Sequence, residues 1–331
     1  MALLDIIIPQ YSESEKTLSN LLSSISNQIN IDFNDIKIII VNDHSPFMPR
    51  HQFISDYQNL NIMLLQTPKN VGPGLARQYG IDNSNSNYIT FIDADDTYYS
   101  NNVLERILKI LKEKQPDVLL SKWMEEQIIG SKATDIIHTS DLIYLHGKFI
   151  KRKYLLDNNF KFSPNLRLHE DSFFCTTLLL NTKDPYYTDV ITNYWRNNKE
   201  SIIRKKRKYH YIISSLGDLI QSNIDVGHEL DKRKSIHKDE YLIKACAYLY
   251  YILTSDLFNP TDYQLRKLKV SYEKKILPLL ILSNDSFIKV GPKQAEIYMQ
   301  EQLQQFKMII PNPKFKENWP NFIRRLINKY S

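Results

Sequence analysis

Glycine is scarce in this chain. Its 331 residues include 8, where average usage of roughly 7 % would give about 23, so each glycine carries more positional information than usual. Cysteine is scarcer still. Cys175 and Cys246 cannot make a disulfide framework or a four-thiolate zinc site, and both lie in apolar, helix-like segments that read as buried free thiols. Long apolar runs are missing as well. The longest, such as 245–253, fall far below the roughly 20 residues of a membrane span. The opening Met-Ala-Leu-Leu-Asp-Ile-Ile-Ile-Pro has no basic region and no small-residue cleavage site, so no signal peptide is expected. A soluble, reducing, cytoplasmic setting is the expectation. What is present is ordinary for a globular protein: 42% hydrophobic and 24% charged residues, which excludes disorder as the main state. The length exceeds one average domain and fits one large domain with an extension.

Charge is present in excess of one sign. There are 43 basic against 37 acidic residues, a net +6, with the excess clustered at 148–153, 204–208, 232–234, 266–275 and 324–329. Such a balance suits an anionic partner: a nucleotide diphosphate, a phosphate-bearing polymer, nucleic acid or an anionic membrane surface. For any single cluster the alternative is a solvated lysine face.

The first 120 residues alternate strand and helix. Residues 3–9, 36–41, 62–66, 88–92 and 118–120 are apolar runs that read as buried parallel strands. Leu18, Leu21, Leu22, Ile25 and Ile29 repeat at helical spacing, and Ser12 with Glu15 has capping-box spacing. Gly72-Pro73-Gly74 opens a second helix, with Pro73 in its first turn. Val103, Leu104, Ile107, Leu108 and Leu111 mark a third. This order predicts an α/β fold with a mostly parallel sheet and helices on both faces. Ligands bind such sheets beyond the carboxyl ends of the strands, where Asp43 and residues 93–96 fall. From about 209 the pattern changes to helices over 209–224, 236–257, 262–277 and 293–307. Pro260, Pro278 and Gly291-Pro292 punctuate them. The expected division is a catalytic domain over 1–205 and a helical C-terminal region over 206–331.

Three local patterns carry chemistry. Tyr88-Ile-Thr-Phe-Ile-Asp-Ala-Asp-Asp96 delivers three carboxylates at a strand tip. Two of them one residue apart can hold a hard divalent cation that neutralises a diphosphate. The alternative is that they cap the following helix, as Asp96 is expected to do. Asn70-Val-Gly-Pro-Gly-Leu-Ala-Arg-Gln-Tyr-Gly80 puts Gly72 and Gly74 at a helix start, with Arg77 one turn in and able to reach a nucleotide. His169-Glu170-Asp171 begins an apolar helix, where acidic residues are also favoured for dipole reasons.

In this order, with Ile6-Ile7-Ile8-Pro9-Gln10-Tyr11-Ser12 and Val41-Asn42-Asp43, the chain resembles glycosyltransferase family 2, which has the GT-A fold. The likeness extends through His146-Gly147-Lys148-Phe149-Ile150-Lys151-Arg152, Leu155-Leu156, Asn159-Phe160-Lys161-Phe162 and Tyr194-Trp195-Arg196-Asn197-Asn198-Lys199-Glu200-Ser201. It covers about residues 3–205. Ser12 and Gln78 stand where the family commonly has Asn, and His146 where it commonly has Trp.

The resemblance implies a Rossmann-like GT-A sheet and an inverting transfer from a nucleotide-diphosphate sugar, chiefly a UDP-sugar. Pro9, Tyr11, Asp43, Asn70, Gly72, Arg77, Asp93 and Ala94 would serve the nucleotide pocket. Asp95, with Asp93, would hold Mn²⁺ or Mg²⁺. Asp171 would be the general base, with Glu170 its neighbour and acceptor contact. The acceptor expected is a bacterial or phage-related surface glycan or polyol-phosphate polymer, recognised by the C-terminal helices, which also offer a homo-oligomer contact. Two other readings share these residues: sugar transfer to modified DNA, since phosphate attracts Lys and Arg whichever polymer holds it, and a non-catalytic sugar-nucleotide-binding module. The basic amphipathic stretch 322–330 reads as a contact with the inner face of a membrane, though short for stable attachment.

Overall fold

The computed structural model describes residues 2–46, 49, 51–129, 132–139, 141–197, 209–242, 244–245 and 263–283. The chain divides into two units, Met1–Arg207 and Lys208–Ser331. Cys246, the helix expected over 293–307, the basic clusters at 204–208 and 324–329, and the stretch 322–330 lie outside the described residues.

The first unit is built on one nine-stranded sheet. Strands β1 (Leu4–Gln10), β2 (Ile36–Asn42), β3 (Ile62–Gln66) and β4 (Tyr88–Phe91) lie in the order β3-β2-β1-β4. All three of their pairings are parallel, as their unbroken apolar character requires. Beyond β4 the sheet becomes mixed. Strand β8 (Lys148–Lys151) runs antiparallel to β4 and to β6 (Val118–Ile129), and β9 (Tyr186–Trp195) runs parallel to β6. The short β5 (Thr97–Tyr98) adds antiparallel to β9, and β7 (Lys132–His138) pairs with the outer length of β6.

Alternating side chains send two cores to opposite faces of the sheet. Leu4, Ile6 and Ile8 of β1 pack with Ile36, Ile38 and Ile40 against α1 (Glu15–Ser26) and α4 (Val103–Lys114). On the other face Ile7, Ile39 and Val41 pack with Ile89 and Phe91 against α3 (Pro73–Asp82) and α6 (Glu170–Leu179). Helix α3 lies close because Gly80 has no side chain: a Cβ there would stand 2.5 Å from Ile7 Cγ2.

Several boundaries differ from expectation, each for a local reason. Helix α1 is capped by Ser14, whose side chain accepts from Thr17 N, and not by Ser12. Glu13 uses its carboxylate instead to accept from Tyr11 N and Ser12 N. Asp96 caps no helix. It is fully buried, lies within hydrogen-bond distance of His146 Nε2, and is followed by β5. Lys148 belongs to no solvated face: it is 0% exposed and donates to Tyr144 O. Strand β6 runs to Ile129 where only 118–120 looked like strand, because Lys122, Glu125, Glu126 and Gln127 interrupt its apolar character. The unit also contains helices α2 (His51–Ser55) and α5 (Arg152–Asp157).

In the second unit α7 spans Tyr209–Lys232 and a further helix spans Tyr263–Ser283. The latter continues through Pro278, so that proline does not end it as expected. Between them, helical residues begin at 238. Tyr272, Ile276 and Leu279 are buried, and Gly217 of α7 faces the Tyr272 ring, with a Cβ position 3.5 Å from its hydroxyl. Among the described residues no helix is long and apolar enough to cross a membrane.

Candidate functional site

The site forms beyond the carboxyl ends of β1, β2 and β4, where parallel topology leaves a crevice. Strand β2 ends in Asn42, and the chain turns at Asp43. That carboxylate is buried and accepts from Val71 N and Gly72 N at 2.8 Å each, and from Thr67 Oγ1 at 2.9 Å. It thereby fixes the turn entering α3. Gly72 there has φ +90°, a conformation that strains any residue with a Cβ.

Arg77, one turn into α3, is 5% exposed. Its Nη2 donates to Asp93 Oδ1 at 2.6 Å and its Nη1 to Glu170 Oε1 at 2.9 Å. One guanidinium thus joins the strand-end carboxylate of Asp93 to the start of α6. Burial alone would lower its pKa, but Asp93 and Glu170 more than offset this and hold it above the ordinary arginine value. Asp93 also feels opposing effects. Partial burial favours its neutral form, yet Arg77 and His146 outweigh that and hold the carboxyl below its usual range. Glu170 goes the other way: burial and the adjacent Asp171 push it up to about 7 despite Arg77. The fit of α6 against α3 depends on Gly74, where a Cβ would stand 2.6 Å from Glu170 Cγ. Asp171 is more open than Glu170, and its Oδ1 accepts from Ser172 N at 2.7 Å.

Of the residues singled out from sequence, Arg77, Asp93 and Glu170 meet directly, and Asp43, Asn70 and Gly72 share one turn. Asn70 Nδ2 donates to Asp43 O at 3.4 Å. Pro9 lies in register with Val41 at the end of β1. Tyr11 is 48% exposed, an open ring at the rim. Ala94 turns its side chain into the core beside α1 and α4.

Two groups escaped the sequence reading. Glu13 was not singled out from the sequence. It stands close enough to Asp93 and Asp95 for their charges, added to its burial, to raise its pKa, and it clamps the backbone at Tyr11. His146 was noted only as a departure from the family. Its Nε2 lies 3.1 Å from Asp96 Oδ2, and its ring stacks on Trp123, with centroids 4.8 Å apart. Burial pushes Asp96 up to about 7, with Asp93 and Asp95 adding to it against the pull of His146. The carboxylates that Glu13 and His146 approach are remote in sequence, so no local signal marked them.

Among the described residues no group of three or more His, Cys, Asp or Glu could hold a metal by itself, and Asp93 commits one oxygen to Arg77. A carboxylate pair at a strand tip is the donor type that a hard divalent cation takes when substrate phosphate oxygens complete its shell.

The family described as Glycosyl transferase family 2 matches residues 5–176. The poly(ribitol-phosphate) beta-glucosyltransferase of Bacillus spizizenii is 28% identical over 193 residues, 54% of this chain and 30% of that protein. The poly(ribitol-phosphate) beta-N-acetylglucosaminyltransferase TarS of Staphylococcus aureus is 28% identical over 190 residues, 53% of this chain and 32% of that protein. The chain therefore spans about a third of the length of these curated relatives. Among solved structures, S. aureus TarS 1–349 covers 97% of this chain and 92% of its own with a TM-score of 0.68 at 18% identity, a likeness of fold. TarS 1–349 in complex with UDP-GlcNAc aligns at TM-score 0.53 and 17% identity, covering 91% of this chain and 92% of its own.

Proposed function

The chain belongs to glycosyl transferase family 2, and we propose that it transfers a sugar from a UDP-sugar to a hydroxyl of a glycan or polyol-phosphate acceptor, with inversion. The observation that carries the reading is the Arg77 bridge between Asp93 and Glu170. It joins Asp93, at the strand tip beside the proposed metal ligand Asp95, to Glu170, the chain neighbour of the proposed base Asp171. The relatives named for poly(ribitol-phosphate) transfer and the fold shared with a UDP-GlcNAc complex support donor and acceptor class.

In this reading Tyr11 and Pro9 flank the base, while Asp43 holds the Asn70–Gly72 turn against the ribose. Asp95, with Asp93, would hold Mn²⁺ or Mg²⁺, which when bound neutralises the departing diphosphate. Asp171 accepts the proton of the acceptor hydroxyl. The oxygen then attacks the anomeric carbon opposite the diphosphate, so the new C–O bond forms as the bond to the diphosphate breaks. Glu170, buried and engaged by Arg77, orients this end of α6. The second unit serves acceptor recognition or assembly, and the setting is cytoplasmic.

A thermal-shift screen with UDP-glucose and UDP-GlcNAc, with and without Mn²⁺, tests the proposal. A ligand that binds only the folded state raises its stability by mass action. The expected result is a rise in Tm with a UDP-sugar that grows when Mn²⁺ is present. No shift with any nucleotide sugar under either condition would overturn it.

A further inference from the structure

Arg167 lies in the segment before α6 and is absent from the roles assigned above. It is exposed, and its Nη2 donates to Asn70 Oδ1. Its Nε lies 3.7 Å from where a Gly72 Cβ would stand. The guanidinium therefore spans from the α6 side of the site to the turn that Asp43 fixes. Among the described residues it makes no ion pair. This sets it apart from Arg77, whose charge is consumed by Asp93 and Glu170. An arginine carries five donors in a planar fork that matches phosphate. One hydrogen bond to a neutral amide leaves most of that fork and the whole charge for a ligand. The surroundings hold carboxylates at 43, 93, 95, 170 and 171, so an anionic substrate needs a compensating cation at the rim.

We propose that Arg167 is a phosphate-binding residue of this site, reaching a substrate phosphate from the Asn70–Gly72 side. The inference rests on the pocket being a sugar-transfer site, where both substrates carry phosphate: the donor as a diphosphate and a polyol-phosphate acceptor as phosphodiesters. The tether to Asn70 gives the side chain one orientation before ligand arrives, which reduces the ordering cost of binding.

The test uses the full chain and two probes, UDP and a short ribitol-phosphate oligomer, with binding measured by calorimetry at low and high salt. Arg167→Gln should weaken binding of one probe by about tenfold or more, the usual worth of a charge-assisted hydrogen bond, and should flatten its salt dependence. Arg167→Lys should recover part of the loss. A loss for UDP assigns the contact to the donor; a loss for the oligomer alone assigns it to the acceptor. If wild-type protein binds UDP while Arg167→Gln alters neither probe, the proposal falls and the sugar-transfer reading stands. If wild-type protein binds neither probe, both fall.

Discussion

At the scale of single residues, two adjacent carboxylates have unlike surroundings and should behave differently. Asp171→Asn keeps size and much of the hydrogen bonding but removes the proton acceptor. It should lower kcat by roughly 10²–10⁴-fold with little change in UDP affinity, measured together with Tm to exclude unfolding. Near-normal turnover would end the base assignment. Glu170 bears on stability through pH. Its folded-state pKa, about 7, lies above the ordinary carboxylate value, so the folded chain holds that proton more tightly than the unfolded one. Its contribution is complete below about pH 4.5 and is lost as pH rises through about 7. Urea unfolding at pH 5 and pH 8 should therefore show Glu170→Gln gaining on wild type at the higher pH. An equal difference at both values would contradict this. Asp43, Asp93, Asp95, Glu170 and Asp171 were legible in the sequence because each sits at a strand tip or helix start. Glu13 and His146 were not, because the carboxylates they approach, Asp93 and Asp95 for Glu13 and Asp96 for His146, come near only when the sheet brings distant turns together.

At the scale of elements, α3 is held by contacts on two sides. Gly80 faces Ile7 of β1 and Gly74 faces Glu170 of α6. Gly80→Ala should push the helix off the sheet and cost about 1–3 kcal/mol, the range for overpacked cores, seen in urea unfolding as a lower midpoint. Gly74→Ala acts on the other side. It should reduce kcat more than Gly80→Ala does at equal loss of stability, because it displaces the carboxylates of α6. Equal kcat losses in the two variants would show that α6 placement is not set by this contact. Strands β1 to β4 and helices α1, α3 and α4 follow from apolar runs and helical periodicity, the two signals the sequence carries most openly. The outer half of β6, with β5 and β7, lacked both signals. These strands are polar or short, and they are held by pairing partners remote in sequence.

At the scale of the whole molecule, both family match and site residues end well before Arg207. A chain ending at Arg207 should still bind a UDP-sugar, with Tm raised by donor plus Mn²⁺, and should lose transfer to acceptor or its oligomeric state. Loss of donor binding in a truncation that keeps a cooperative melt would show that the second unit contributes to the donor pocket. The helices described in that unit, Tyr209–Lys232 and Tyr263–Ser283, fall in segments whose many Tyr, Leu and Ile residues read as helical. The run through Pro278 could not be read that way, because a proline within a helix is tolerated only where packing outweighs the lost hydrogen bond.

The Arg77 bridge also bears on the order in which the protein is made. Its guanidinium leaves the ribosome 16 residues ahead of Asp93 and 93 residues ahead of Glu170. Until α6 emerges, seating α3 fully on the sheet would bury a charge with half its partners missing, which costs several kcal/mol. The opening strands can pair early, but closure of this crevice must wait for residue 170. During synthesis the site therefore stays hydrated while the parallel strands β1 to β4 beneath it can already pair. Nascent chains stalled before that point should show protected β1 and β2 amides in hydrogen exchange and an unprotected start of α3.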